Sequence, residues 1–103
     1  MKFHIVEGDD ERVHVKSVGP IAPDAPELLA EKLVDLVGPD MYRRRMRLNL
    51  EDSEFITSAG IGGLLHCHKR FAEHGGELSL ASPSRAVRQT FDLMRLGTVF
   101  RID

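Results

Sequence analysis

The chain has 103 residues, of which 42% are apolar and 29% are charged, and its net charge is −2 with histidine neutral. This composition predicts one small globular domain over residues 1–103 and excludes a disordered or fibrous chain. The near-neutral charge gives no general attraction to nucleic acid, and no apolar run is long enough for a membrane-spanning helix. Early acidic residues argue against a signal peptide, and a lone cysteine fits a reducing compartment, so a cytoplasmic location is expected.

The first 39 residues predict a β-hairpin followed by a helix. Residues 3–6 and 12–18 have the apolar alternation of strands, with turn-forming residues between them. Asp24 is the expected N-cap of the first helix, and Ala25-Pro26 can occupy its first turn. Gly38-Pro39 should end that helix.

The middle of the chain predicts a strand, a loop and a second helix. Met46, Leu48 and Leu50 alternate with polar residues and mark a third strand. After an acidic loop, Phe55 and Ile56 are expected to turn into the core. The second helix is expected over residues 61–74, with one apolar face formed by Ile61, Leu64, Leu65, His68 and Ala72.

The last third predicts a strand, a helix and a final strand. Residues 77–81 form the fourth strand. Ser82 is the expected N-cap of the third helix, and Pro83 takes its first position. The buried face of that helix is predicted to contain Val87, Thr90, Phe91 and Met94. Residues 98–102 form the fifth strand.

The resulting order is β-β-α-β-α-β-α-β. Strands that alternate with helices predict an α/β fold in which the helices pack on a central sheet. Each β-α-β step should be a right-handed crossover, so the sheet should be mixed but mostly parallel.

A short segment that joins the third strand to the second helix is the most informative part of the sequence. It reads Phe55-Ile56-Thr57-Ser58-Ala59-Gly60-Ile61-Gly62-Gly63. Ser58 lies where the helix should begin, and a helix N-terminus offers unpaired N–H groups and a positive dipole end. Phosphorylation of Ser58 would add roughly 1.5 to 2 negative charges at one surface point. The same position is also compatible with a simple N-cap worth about 1 kcal/mol.

These residues resemble the core motif of STAS domains, and more narrowly of bacterial anti-sigma factor antagonists. The similarity continues through 75–80 and 82–87 to Phe91-Asp92-Leu93. In that family a serine that follows an aspartate is phosphorylated by a partner anti-sigma factor kinase, and the matching residue here is Ser58. Thr57 stands in the position of the aspartate, which is a departure from the family pattern and makes Thr57 a second, weaker candidate acceptor.

The resemblance implies a regulator that works by partner switching in transcription. When Ser58 is unphosphorylated, the protein would bind an anti-sigma factor that is also a serine kinase, and a serine phosphatase would reverse the modification. The chain would be a ligand and substrate, with no catalytic residue and no cofactor. The expected partner surface comprises Thr57, Ser58, Ala59, Gly60, Gly62 and Gly63. The alternative is a STAS interaction module that works without phosphorylation, as a signalling scaffold or a lipid-transport subunit.

Other motifs carry weaker signals. The glycines after Ser58 lack the pattern and the lysine of a phosphate-binding loop, so close helix packing or a docking surface is the better interpretation. His66, Cys67 and His68 are adjacent on a helix and point about 100° apart, which disfavours a metal site. The basic run at 43–47 has only one aromatic residue nearby, so no nucleic-acid partner is expected.

Overall fold

Five strands and three helices alternate along the chain in the predicted order β-β-α-β-α-β-α-β. The computed structural model describes residues 1–103. The strands are β1 (Lys2–Gly8), β2 (Arg12–Val18), β3 (Arg45–Asp52), β4 (Glu77–Ala81) and β5 (Arg101–Ile102). The helices are α1 (Pro26–Val37), α2 (Ser58–Glu73) and α3 (Arg85–Leu93). Short 3₁₀ turns at Met41–Arg43 and Leu96–Thr98 precede β3 and β5.

The strands form one sheet in the spatial order β1-β2-β3-β4-β5. β1 and β2 pair antiparallel as a hairpin, whose turn is held by the Asp9 carboxylate, which accepts the N–H groups of Glu11 at 2.8 Å and Arg12 at 2.9 Å. All other neighbours are parallel because each connection crosses over through a helix. The prediction of a mixed, mostly parallel sheet is confirmed.

One face of the sheet carries the core, because strand side chains alternate between two faces. The core-facing side chains of β2, β3 and β4 are buried, and they join buried side chains from all three helices in one cluster. The opposite face carries no helix. We call it the open face and define it by the outward-pointing residues Arg12, His14, Lys16, Arg45, Arg47, Asn49, Glu77, Ser79 and Arg101.

The buried stripe of α2 differs from the predicted one. The buried residues are Gly60, Ile61, Gly63, Leu64, Cys67 and Phe71. Leu65 and Ala72 are exposed and His68 is only half-buried. The stripe is displaced because two glycines belong to it. A pattern based on large apolar residues cannot register a glycine as buried, and the prediction also passed over Cys67 and Phe71, which continue the stripe of Gly60, Gly63 and Leu64.

Two helix starts were predicted wrongly. Ala25, not Asp24, precedes α1, and it has an extended backbone (φ −147°) and no capping side chain, since a residue before proline is pushed away from the helical region. Pro26 is the first helical residue, as the sequence indicated. α3 is capped by Ser84, whose hydroxyl accepts the N–H of Val87, whereas Ser82 adopts a left-handed conformation with φ of 49°.

Some predicted core and strand positions also lie elsewhere. Ile56 is buried, but Phe55 is 48% exposed. Met94 is exposed beyond the end of α3 and Thr90 is half-buried. The final strand is only two residues long, because the N–H groups of Val99 and Phe100 both bond to the carbonyl of Leu96 in a local turn and are unavailable to the sheet.

Candidate partner-binding site

Ser58 is the first helical residue of α2. It follows the loop that leaves the carboxyl end of the central strand β3. Its side chain is exposed. The first intrahelical bond runs from the N–H of Ile61 to the carbonyl of Thr57 at 2.9 Å, so the N–H groups of the preceding turn have no helical partner. The Ser58 hydroxyl therefore stands in solvent beside the positive end of the α2 dipole.

The capping group of α2 is Thr57 rather than Ser58. Its Oγ1 accepts the N–H of Gly60 at 3.3 Å and donates to the carbonyl of Ile21 at 3.4 Å. The Thr57 N–H bonds to the same carbonyl at 3.0 Å. The threonine hydroxyl is thus occupied and half-buried, whereas the serine hydroxyl is free of the cap. The interpretation of Ser58 as an N-cap is therefore wrong. Capping does not explain why a serine occupies this exposed position.

The glycines that follow Ser58 let α2 approach its neighbours closely. A Cβ on Gly60 would come within 2.6 Å of the Ile21 carbonyl oxygen, and a Cβ on Gly63 would come within 2.8 Å of the Pro26 carbonyl oxygen. Both glycines are buried, and Gly62 is half-buried against the Pro26 ring. Direct contact with a partner is consequently open to Ser58, Thr57, Ala59 and Gly62. Gly60 instead lets α2 approach the segment at Ile21, and Gly63 lets it approach α1.

The two segments that flank Ser58 contain carboxylates and no lysine or arginine. They are residues 51–60 and residues 19–27. Glu54 and Asp24 are exposed on these segments. Two further carboxylates, Glu51 and Asp52, pair with Lys16 at 3.5 Å and 2.9 Å, and the hydrogen bond with Asp52 raises the pKa of the Lys16 ammonium. A phosphate on Ser58 would meet no cation from either segment.

The loop between β3 and α2 is anchored by serines that no sequence pattern singled out. The Ser53 hydroxyl donates to the Ser17 hydroxyl at 2.9 Å, and both residues are buried. The Ser84 hydroxyl donates to the carbonyl of Ser53. These bonds tie the loop to β2 and to the start of α3. Phe55, in the same loop, is left on the surface three residues before Ser58.

The histidines and cysteine of α2 are dispersed by the helix. Cys67 is fully buried, and that burial raises the pKa of its thiol to about 12. The His68 ring packs edge-on against Phe100 with 5.1 Å between ring centroids, and His66 is exposed. Nowhere in residues 1–103 do three or more His, Cys, Asp or Glu side chains group as metal ligands would.

None of the three helices combines the length and apolar character needed to cross a lipid bilayer.

Comparison with known proteins gives the family. The family model described as the STAS domain matches residues 5–103. A proposed anti-sigma factor antagonist from Thermotoga maritima is similar in structure, with a TM-score of 0.81 and 23% identity over 97% of this chain and 84% of that one. The anti-sigma factor antagonist SpoIIAA in its unphosphorylated form has a TM-score of 0.73 and 21% identity over 99% of this chain and 88% of that one. The structural likeness shows a shared fold, and from the extent of the family match we conclude that this chain belongs to the STAS domain family.

Proposed function

We propose that this protein is an anti-sigma factor antagonist, and that phosphorylation of Ser58 releases it from an anti-sigma factor. The observation that carries the proposal is the exposed Ser58 hydroxyl, placed at the first position of α2 and spared from capping by Thr57. The similar structures are themselves described as anti-sigma factor antagonists, which supports the choice of partner.

The surface around Ser58 suits a protein partner better than a small ligand. Ser58, Ala59 and Gly62 are small, and they leave the start of α2 open to close approach. The half-exposed ring of Phe55 supplies an apolar contact nearby, of the kind that is enriched at interfaces. A specific complex buries about 800 Å² on each partner, an area that readily includes these residues and the neighbouring acidic loop.

A phosphate on Ser58 would act against such a complex by charge and desolvation. In the free chain the phosphate is compatible with the helix dipole and with solvent. In the complex it would be enclosed between the partner and flanking segments that supply carboxylates but no lysine or arginine to pair with it. An unpaired buried charge is strongly unfavourable, so the modified protein should dissociate.

The modification requires two further activities, which we assign to partners. The anti-sigma factor would itself be the serine kinase, and a separate serine phosphatase would restore the hydroxyl. The protein described here would be the substrate and ligand in the cytoplasm and not a catalyst. Thr57 is the poorer acceptor, because its hydroxyl is engaged with Gly60 and Ile21.

A second candidate function is a STAS interaction module that works without phosphorylation. The observation that favours it is Thr57, which provides a neutral hydroxyl at the position where the family has an aspartate. A kinase that recognises the carboxylate would find a weaker substrate here, while a scaffold contact would tolerate the change.

The proposal is tested by comparing bait proteins in the source organism. Wild type, Ser58→Ala and Ser58→Asp are used to capture partners, and the captured proteins are identified by mass spectrometry. We expect an anti-sigma factor with a kinase domain on wild type and on Ser58→Ala, and its loss from Ser58→Asp. Gln89→Glu is the matched control, since it adds one negative charge at an exposed position of α3. Equal capture by Ser58→Asp and wild type would overturn the phosphorylation switch and leave the scaffold.

A further inference from the structure

β1 is the one long strand of the sheet with a free edge. It lies at one end of the strand order and pairs only with β2, whereas the strand at the other end, β5, has two residues. Within β1 only Phe3 is half-buried, and the apolar side chains of Ile5 and Val6 are 46% and 55% exposed. An exposed edge strand of this kind is a template for pairing with another strand.

The backbone hydrogen bonds fix the direction of the peptide groups of β2. The Glu11 carbonyl accepts the N–H of Arg45, and the Gly19 N–H donates to the carbonyl of Asp52. The odd-numbered residues at both ends of β2 therefore point to β3. Because the peptide groups of successive residues point to opposite sides of a strand, the even-numbered residues of β2 point to β1.

This direction identifies the free peptide groups of β1. The register sets Lys2 and His4 opposite even-numbered residues of β2, so these two residues bond to β2. The N–H and C=O groups of Phe3 and Ile5 point outward instead. A bulge directly after Ile5 ends this regular edge. The free edge thus consists of two outward-pointing residues, and both have apolar side chains.

Leu36 on α1 continues the apolar edge. The Lys32 ammonium donates to the carbonyl of Met1 at 2.7 Å, so one side of α1 faces the start of β1. α1 runs in the same direction as β1, because both run opposite to β2. Leu36 is one turn, or about 6 Å, further along that side and therefore lies beside the middle of β1. Its side chain is 37% exposed, so the strand edge and the adjacent helix expose apolar groups together with Ile5.

A second copy of this chain fits the edge better than an isolated strand does. A lone strand could pair with Phe3 and Ile5, but it would leave Leu36 in contact with water. A second copy, related by a two-fold axis perpendicular to the sheet, would add its own β1 antiparallel to the first. Its α1 would then lie on the same face of the joined sheet, beside the first α1, and the two Leu36 side chains would cover each other.

The outward groups restrict the register of such a pair. In an antiparallel ladder an outward-pointing residue must face another outward-pointing residue. Phe3 opposite Phe3 of the second copy would bring Ile5 opposite Met1, whose carbonyl already has a donor. Ile5 opposite Ile5 of the second copy would bring Phe3 opposite Glu7, beyond the bulge. Phe3 opposite Ile5 avoids both conflicts and forms two bonded pairs within the regular edge.

We propose that the chain forms a two-fold symmetric dimer through β1, with Phe3 opposite Ile5 of the second copy. The register sets Lys2 opposite Val6, and His4 opposite its own counterpart on the open face, so no two like-charged lysine or glutamate side chains face each other. A pair of short strand edges and one turn of helix make a small interface, below ~1,200 Å² in total, so the association is weak. The dimer does not involve the partner-binding site, so its test is independent of the proposed function.

The oligomeric state is measured by sedimentation velocity from micromolar to millimolar concentrations. We expect the wild-type mass to rise with concentration and to level at that of a dimer. Leu36→Lys should weaken the dimer about tenfold or more, because it brings two charges together beside the axis. Leu65→Lys is the matched control, since Leu65 is 36% exposed on α2, away from the β1 edge. A wild-type chain that stays monomeric throughout, or equal weakening by both variants, would overturn the proposal.

Proline variants separate strand pairing from general hydrophobic association. Ile5→Pro removes an N–H group that has no partner in the monomer, so the thermal midpoint should change little while the dimer is lost. His4→Pro removes an N–H group that bonds to β2, so it should lower the thermal midpoint clearly. A folded Ile5→Pro variant that dimerises like wild type would contradict pairing through this edge.

A cysteine variant tests the register. In the proposed pair the two His4 residues form a non-bonded antiparallel pair with Cα atoms about 4.5 Å apart, which a disulfide can span. Oxidised glutathione should convert His4→Cys into a covalent dimer, and each disulfide formed reduces one oxidised glutathione to two thiols. Lys2→Cys, which faces Val6 of the second copy, should stay uncoupled, and wild type with its buried Cys67 is the blank. Equal coupling of both variants, or none in either, would overturn the proposed dimer.

Discussion

The Thr57 hydroxyl accepts the N–H of Gly60 at 3.3 Å, and this bond relieves Ser58 of any capping role. The neighbouring hydroxyls of Thr57 and Ser58 therefore have different roles. Thr57 holds the start of α2 to the Ile21 carbonyl, and Ser58 stays in solvent. An aspartate at position 57 could accept the same N–H, because aspartate is at least as good an N-cap as threonine. Threonine in place of aspartate at position 57 thus keeps the cap and removes one negative charge.

Replacement of the capping hydroxyl tests this division directly. Thr57→Ala should lower the free energy of unfolding by about 1 kcal/mol, because one N–H of the first turn loses its acceptor. Thr57→Asp keeps an acceptor for the Gly60 N–H but loses the donation to the Ile21 carbonyl, so it should lower the free energy of unfolding by less than Thr57→Ala does. Urea unfolding followed by circular dichroism measures both. Equal destabilisation by the two variants would mean that the hydroxyl packs but does not cap.

The phosphomimetic change at the neighbouring residue should leave the fold intact. Ser58→Asp places a negative charge at the N-terminus of α2, where it interacts favourably with the helix dipole by about 0.3 to 1 kcal/mol. Its thermal midpoint should therefore equal or slightly exceed that of wild type, and the increase should shrink as salt is added. Partner binding should be lost in the same protein. A variant that loses both stability and binding would contradict the model of a purely electrostatic switch.

The sequence predicted β2, β3 and β4 well because their side chains alternate between a buried and an exposed face. The prediction failed at helix starts that depend on backbone conformation. Ala25 is held extended by the following proline, and Ser82 has a positive φ, so neither Asp24 nor Ser82 could cap a helix. The effect of Pro26 on Ala25 can be read from the sequence, whereas the left-handed conformation of Ser82 cannot. The position of Ser58 at the start of α2 was predictable, but the choice between Ser58 and Thr57 as the cap depends on a carbonyl, that of Ile21, from a segment distant in sequence.

The close approach of α2 to its neighbours predicts that small size is required at Gly60 and Gly63. A methyl group on either would fall within 3 Å of a backbone carbonyl oxygen. Gly60→Ala and Gly63→Ala should each lower the free energy of unfolding by about 2 kcal/mol, since the strain of overpacking exceeds the higher helix propensity of alanine. Gly97→Ala is the matched control, as its Cβ would meet nothing within 4 Å. Stability that is unchanged in all three variants would refute the packing role.

The buried hydrogen bond between Ser53 and Ser17 predicts non-additive mutations. Ser17→Ala leaves the Ser53 hydroxyl buried without an acceptor, and an unsatisfied buried polar group costs about 1 to 3 kcal/mol. In the double variant with Ser53→Ala no hydroxyl is left unpaired, so its loss of stability should be smaller than the sum of the single losses. Chemical denaturation of the four proteins in the cycle measures the difference. Strict additivity would show that the bond does not hold the loop before α2.

Burial of Cys67 predicts a dependence of stability on alkaline pH. The thiol pKa is raised from 9.0 to about 12 in the folded chain, so the folded chain keeps its proton at pH values where the unfolded chain has lost it. This stabilisation is complete below the unfolded pKa and is lost as the pH rises through 9 toward 12. Between about pH 8 and about pH 10 the free energy of unfolding should fall by about 1.4 kcal/mol, because pH 10 lies about one unit above the pKa of the unfolded thiol.

The measurement requires removal of a second titrating group, because Tyr42 contacts the thiol and the pKa of its own phenol is raised by burial. Unfolding is therefore compared between Tyr42→Phe and the double variant Tyr42→Phe/Cys67→Ala at both pH values. The protein that retains Cys67 should lose more stability at high pH than the one that lacks it. A thiol reagent gives an independent readout, since the native thiol should react only as fast as the chain opens. Parallel pH profiles together with rapid native labelling would place the thiol at the surface, contrary to the packing of α2 described above.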